Sequence, residues 1–99
     1  MKIIKKYVER MEEEIEDAQH YAERFVECKA KGHMSDANTY AEMANDELKH
    51  ATYIHRMAVQ AIEEIAKVYQ PPEEMMEKWE KAHKCYVEKV AWIKQMLAM

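Results

Sequence analysis

The chain has very few of the residues that make turns, with one Gly and two Pro among its 99 residues. A β-rich fold needs a turn about every ten residues, and this composition cannot supply them. Helix-forming residues (Ala, Glu, Lys, Met, Gln, Leu, Arg) dominate instead. The length suits one hydrophobic core but not two domains. We therefore predict an all-α fold in which residues 1–99 form a single helical domain.

Positive charge, long apolar runs and cysteines are also scarce. The 15 Lys and Arg residues are outnumbered by 19 Asp and Glu, and the net charge of −4 argues against nucleic-acid binding. No apolar run approaches the roughly 20 residues that a membrane span requires, and Met1–Lys6 does not resemble a signal peptide. Cys28 and Cys85 lie too far apart for a CxxC pair or a disulfide framework. We expect a cytoplasmic protein without membrane or nucleic-acid partners.

Two breaks divide the chain. Gly32 is placed to end a helix in the left-handed conformation, with Ser35 or Asp36 as the next N-cap. Pro71 and Pro72 end the second helix and open the third. The predicted helices span about 3–31, 36–69 and 72–97.

Each predicted helix carries an apolar stripe at spacings of three and four residues. The stripes run from Ile4 to Phe25, from Ala37 to Tyr69 and from Trp79 to Leu97. Such stripes suit antiparallel helices joined by short loops, which is bundle architecture. Because three helices bury little surface, we expect self-association into a homodimer or a larger homo-oligomer.

Three of the five histidines have an acid three residues earlier, on the same helix face. The pairs are Asp17/His20, Glu47/His50 and Glu80/His83. Chance alone accounts for about one such pair, so the spacing by itself is a weak indication of metal binding. His55 has no acid at this spacing and is interpreted as an ordinary surface or interface residue.

Position on the helix face distinguishes Glu47/His50 from the other pairs. Glu47 lies within an apolar stripe, as does Glu14 on the first helix, and an interior carboxylate needs compensation such as a cation. Glu14 lies 18 residues before Gly32 and Glu47 lies 15 after it. In an antiparallel hairpin their heights differ by about three residues, or roughly 4–5 Å. One hairpin therefore offers Glu14, Glu47 and His50 together.

The pair Glu80/His83 does not fit the same site. Measured from the proline turn, it lies on the order of 18 Å from Glu47/His50 in height. A second copy of the hairpin fits better, because two copies supply four carboxylates and two imidazoles. Ferritin-like di-iron proteins use this ligand set.

With these residues the chain resembles the ferritin-like superfamily, and specifically the first half-bundle of the rubrerythrin type. The resemblance covers residues 14–51: Glu14, Tyr21 seven residues later, Gly32 in the turn, and the run Glu47-Leu48-Lys49-His50-Ala51. A chain of this size that supplies half a di-iron site is similar to the encapsulated ferritins.

The resemblance implies a ferroxidase centre at a dimer interface within a larger ring, associated with an encapsulating protein shell. It assigns Glu14, Glu47 and His50 as ligands, with Asp17 as a further acid one turn along the first helix. Tyr21 is positioned to donate a hydrogen bond to a ligand carboxylate. No encapsulation tail is recognisable after Leu97.

Carboxylates with one imidazole suit Fe(II) or Mn(II) better than zinc. The expected function is oxidation of Fe(II) by O₂ or peroxide, with two iron ions in each site between subunits and manganese as the other candidate metal. Two other interpretations remain. One is a helical interaction module without catalysis, in which the acid–histidine pairs are incidental. The other is a metal carrier without turnover.

Overall fold

The computed structural model describes residues 2–99, so Met1 lies outside the described part of the chain. Three helices follow one another: α1 (Lys2–Ala30), α2 (Met34–Val68) and α3 (Glu73–Leu97). Residues 2–99 contain no strand. The all-α prediction is confirmed, and each helix begins and ends within two residues of its predicted bounds.

The turn between α1 and α2 depends on Gly32, whose φ of +78° lies in the left-handed region. The Gly32 N–H donates to the Lys29 carbonyl at 3.0 Å, and the His33 N–H donates to the Cys28 carbonyl at 2.9 Å. These two bonds form a Schellman motif, which satisfies carbonyl groups at the end of a helix. The predicted role of Gly32 is confirmed.

The predicted N-cap of α2 was wrong. His33, rather than Ser35 or Asp36, is the N-cap residue, and its carbonyl accepts the Ala37 N–H at 3.0 Å. Because the Schellman motif is completed at His33, the chain enters the next helix at once. Asp36 lies inside the first turn of α2 instead, where its charge favours the positive end of the helix dipole.

The second break lies at the prolines, as predicted. α2 ends at Val68, and Tyr69 is extended, with φ −158° and ψ 162°. Pro72 is the N-cap of α3, with φ −56° and ψ 139°, and two acids occupy the first turn. Proline suits this position because its missing N–H removes no helical hydrogen bond.

α1 and α2 form an antiparallel hairpin, and α3 folds back to run parallel to α1 and packs mainly along it. The Lys29 ammonium donates a hydrogen bond to the Met99 carbonyl, so the C-terminal ends of α1 and α3 are adjacent. The result is a rod of 55 × 17 × 17 Å. Two clusters of buried side chains fill its core.

The cluster nearer the Gly32 turn contains Ile15, Ala18, Ala22, Ala44, Leu48, Ala51, Ile93 and Met96. The cluster nearer the proline turn contains Met11, Ile54, Ala58, Trp79 and Ala82. Many of these core positions are alanines, which allow the helix backbones to approach closely. Among the described residues, no helix combines the length and apolar character needed to cross a membrane.

Candidate metal centre

The structure brings Glu14 of α1 together with Glu47 and His50 of α2. Each of the three offers one ligand atom, and these atoms lie within 4.8 Å of one another. The antiparallel hairpin therefore sets the two carboxylates at matching heights, as the residue count from Gly32 predicts. Their role as metal ligands stays a prediction.

Glu14 is the only charged side chain buried among residues 2–99, with 7% of its surface exposed. It is held there because Met11, Ile15 and Ala18 on the same face of α1 are all buried against the neighbouring helices. A carboxylate in such a position has lost most of its hydration and requires partners of opposite charge or hydrogen-bond donors.

His50 faces both carboxylates from the outer side of the cluster. Its Nδ1 lies 3.5 Å from Glu14 Oε2 and 3.8 Å from Glu47 Oε1. The His50 side chain is 54% exposed, whereas that of Glu47 is 20% exposed. The cluster thus has a closed carboxylate side and an imidazole that is open to water.

The two carboxylates disfavour each other's charge. A hydrogen bond shared with Glu14, burial, and repulsion from the Glu14 charge raise the pKa of Glu47 to about 7, while His50 opposes the shift. The metal-free centre therefore holds a proton on Glu47 at a higher pH than an exposed carboxyl group would. A divalent cation would relieve the same repulsion that the proton relieves.

Arg10 is a site residue that the sequence reasoning missed. Its Nε lies 3.2 Å from Glu14 Oε1, one helical turn along α1. The i, i+4 spacing on a helix was the available signal. The Arg10 side chain is 63% exposed, so it can move away and release this oxygen to a cation.

The other two predicted site residues lie outside the cluster. Asp17 is exposed and is not among the three residues whose ligand atoms converge, although its charge adds to the raised pKa of Glu47. The ring of Tyr21 packs against that of Tyr40, with centroids 6.4 Å apart. Within residues 2–99 no hydrogen bond joins the Tyr21 hydroxyl to a carboxylate.

The centre opens onto one side of the α1–α2 hairpin through a cleft of about 420 Å³. The cleft is lined by Tyr7, Arg10, Glu14, His50, Tyr53, Ile54 and Met57. We call this surface the open face. All of its residues belong to α1 and α2, so α3 leaves it uncovered, and Tyr53 and Met57 are 53% and 43% exposed there.

A second pair of histidines lies between α2 and α3. His55 Nε2 and His83 Nδ1 are 2.8 Å apart and share a hydrogen bond. Burial and the nearby charge of His83 lower the pKa of His55. The interpretation of His55 as an ordinary residue missed this pairing, because the partner comes from another helix and not from an acid nearby in the sequence.

Comparisons with protein-family models, with curated proteins and with solved structures found no match for this chain.

The donor set of the centre fits a hard divalent cation. Carboxylate oxygens are ligands of Fe(II), Mn(II), Mg(II) and Ca(II), whereas an added imidazole favours the transition metals among them. Glu14, Glu47 and His50 present two carboxylates and one imidazole to a common point. No sulfur ligand lies within this group, which disfavours the thiolate-rich sites typical of structural zinc.

Proposed function

We propose that the chain is a ferritin-like di-metal protein that oxidises Fe(II) with O₂ or peroxide at a centre shared by two copies. In this proposal Glu14, Glu47 and His50 bind iron, and the partner copy supplies the same three residues. The observation that carries it is the convergence of a buried Glu14 carboxylate with Glu47 and His50 within 4.8 Å.

The electrostatics support cation binding over a purely structural role. A second carboxylate beside a buried one is unfavourable unless a proton or a cation lies between them, and here the pKa of Glu47 rises to about 7. A surface pair of Glu and His would show neither the burial of Glu14 nor this shift. Cation binding at neutral pH would release the Glu47 proton and displace Arg10 from Glu14 Oε1.

The choice of iron follows from the ligands and from their accessibility. Two carboxylates and one imidazole per chain favour Fe(II) and Mn(II), and the carboxylates also stabilise the higher charge of Fe(III). Each Fe(II) oxidised releases one electron, so two Fe(II) ions supply the electrons that reduce O₂ to peroxide or peroxide to water. The exposed imidazole of His50 leaves a route for iron from the solvent.

The position of the centre supports a shared site. Three ligands from one chain leave a cation partly coordinated, and two cations need about twice that number. The open face carries this centre together with half-exposed apolar side chains, including Tyr53 and Met57. A second open face placed against the first would bury these side chains and bring the two ligand sets together.

The test is aerobic oxidation of Fe(II) by the metal-free protein, followed by the absorbance of Fe(III) and by O₂ consumption. We expect the wild-type protein to oxidise Fe(II) at least tenfold faster than the variant Glu47→Ala/His50→Ala. The matched control is Glu16→Ala/His20→Ala, which removes an exposed acid and an exposed histidine from α1. It should retain the wild-type rate.

An oxidation rate equal to that of the Glu47→Ala/His50→Ala variant would refute the proposal. Tight binding of Fe(II) or Mn(II) without O₂ consumption would instead establish a metal carrier. A protein that neither binds these metals nor oxidises Fe(II), but self-associates through its exposed apolar side chains, would be an interaction module.

A further inference from the structure

The imidazoles of His55 and His83 meet across the boundary between α2 and α3. Their facing nitrogen atoms, Nε2 and Nδ1, are 2.8 Å apart. The His55 ring stacks on Tyr86 at 4.6 Å between centroids and lies 5.3 Å from Trp79. These aromatic contacts between α2 and α3 orient the His55 ring so that its Nε2 points at His83.

The acid that precedes His83 by three residues takes no part in this arrangement. Glu80 is exposed, and among residues 2–99 neither histidine forms an ion pair with a carboxylate. Each neutral imidazole has one nitrogen with a lone pair and one with a proton. In their hydrogen bond one facing nitrogen carries the proton and the other accepts it. Once the donating ring moves its proton to its other nitrogen, both facing nitrogens present lone pairs, and no carboxylate competes for them.

The separation of these nitrogens matches the bite of a chelated metal ion. With metal–nitrogen bonds of about 2.0–2.1 Å, two donors at a right angle lie roughly 2.9 Å apart, and two at the tetrahedral angle roughly 3.3 Å apart. The observed 2.8 Å is close to the right-angle value. The nitrogens now point at each other, so on binding both rings turn about their Cβ–Cγ bonds until the two lone pairs meet at the ion. Right angles between nitrogen ligands are typical of the tetragonal geometry of Cu(II) and Ni(II).

We propose that His55 and His83 form a second metal site, made of imidazoles alone, which chelates Cu(II) and, more weakly, Ni(II). When the ion binds, the ring that donates this hydrogen bond moves its proton to its other ring nitrogen, so both rings stay neutral and both facing nitrogens bind the metal. Water completes its coordination, because His83 is exposed and His55 is only half-buried.

This site is chemically distinct from the centre on the open face. It has imidazoles and no carboxylates, and it lies between α2 and α3, whereas the cleft on the open face is lined by α1 and α2 only. The proposal therefore stands whether or not the protein oxidises iron. Bound metal would add a link between α3 and α2, beside the buried side chains that both helices contribute to the core, the stacked rings and a Thr52–Tyr86 hydrogen bond of 3.3 Å.

The test uses the whole 99-residue chain with Glu47→Ala/His50→Ala, which removes the centre on the open face. Cys28→Ser and Cys85→Ser are added because free thiols reduce Cu(II). In this background we expect one Cu(II) per chain by titration calorimetry, an electron paramagnetic resonance spectrum with nitrogen splitting from two imidazoles, and a higher melting temperature with Cu(II) than with a chelator.

His55→Gln and His83→Gln should each weaken Cu(II) binding at least tenfold and abolish the rise in melting temperature. The matched controls are His20→Gln and His33→Gln, which remove exposed histidines elsewhere in the chain and should leave binding unchanged. Circular dichroism checks that each variant is helical. Unchanged affinity in a folded His83→Gln variant, or a spectrum without two nitrogen ligands in the background protein, would overturn the proposal.

Discussion

At the scale of single residues, Glu14 determines the character of the candidate centre. Burying an ionised carboxylate is costly unless it is paired and hydrogen-bonded. Glu14 has Arg10 at 3.2 Å on one oxygen and His50 at 3.5 Å on the other, with a second carboxylate, Glu47, close by. Arg10 opposes the Glu14 charge, whereas Glu47 repels it, so an added cation would stabilise the two carboxylates together.

The raised pKa of Glu47 predicts how the stability of the metal-free protein depends on pH. Below pH 4.5, the pKa of Glu47 in the unfolded chain, the carboxyl is protonated in both the folded and the unfolded state and does not lower the free energy of unfolding. Between 4.5 and about 7 the folded state alone retains the proton, so stability falls as pH rises through this window. Above a pH of about 7 the carboxyl is ionised in both states, and the loss of stability stays constant. Glu47→Gln cannot ionise, so we expect this variant to melt several degrees higher than the wild type at pH 8 in the presence of a chelator.

Thermal melts followed by circular dichroism at pH 4 and pH 8 measure this difference. The advantage of Glu47→Gln should shrink at pH 4, where the wild-type carboxyl is protonated as well. Asp46→Asn, which neutralises the exposed neighbouring acid on α2, is the control and should show no comparable gain. Equal melting temperatures for Glu47→Gln and the wild type at pH 8 would mean that Glu14 and Glu47 do not repel each other.

At the scale of the elements, the α1–α2 turn sets the register on which the centre depends. The left-handed Gly32 and the two hydrogen bonds of the Schellman motif fix the point at which the chain reverses. A shift of one residue in this turn would move Glu47 by about 1.5 Å and 100° relative to Glu14. The turn therefore contributes to the site although it lies far from it along the helices.

Gly32→Ala should destabilise the protein through the backbone alone. A Cβ at this position meets no atom within 4 Å, so there is no steric clash to relieve. An L-residue with a Cβ at a φ of +78° costs about 1–2 kcal/mol. We expect the melting temperature to fall by roughly 4–8 °C for each kcal/mol lost.

Gly32→Asn is the matched comparison, because Asn tolerates the left-handed conformation better than Ala. Its melting temperature should lie between those of the wild type and Gly32→Ala. If the Asn and Ala variants lose the same stability, the left-handed backbone is not the source of the loss.

At the scale of the whole molecule, the third helix decides which surface is left for a partner. α3 packs mainly along α1 and contacts α2 through the buried core clusters and the His55–His83 pair, while the open face on α1 and α2 stays uncovered. The surface that carries Glu14 and His50 is thus also a surface with half-exposed aromatic and methionine side chains. Such a combination is typical of an interface between subunits.

Two half-exposed aromatic residues allow this interface to be tested. Tyr53 on the open face is 53% exposed and Trp92 on α3 is 51% exposed. We expect the wild type with Mn(II) to have at least twice the 11.8 kDa mass of one chain in light scattering. Tyr53→Glu should reduce the mass to that of one chain, because it places a charge in the buried interface.

Trp92→Glu is the control for this experiment and should leave the oligomer intact. Dissociation by Trp92→Glu together with an intact Tyr53→Glu oligomer would place the interface on α3. In that case the two ligand sets would not meet, and the shared centre would be excluded.

Much of the fold was determined by the sequence alone, because its signals are local. The spacing of apolar residues, the single glycine and the adjacent prolines specify three helices and two breaks. Counting residues from Gly32 was enough to predict that Glu14 and Glu47 lie at similar heights along the hairpin, since the rise per residue of an α-helix is constant.

The tertiary structure alone decided how the helices are rotated about their axes and where α3 lies. Side-chain packing among all three helices decides three features: His55 contacts His83, α3 packs mainly against α1, and the face around the centre stays uncovered. Packing of this kind has no fixed spacing along the chain, so no local pattern in the sequence predicts it.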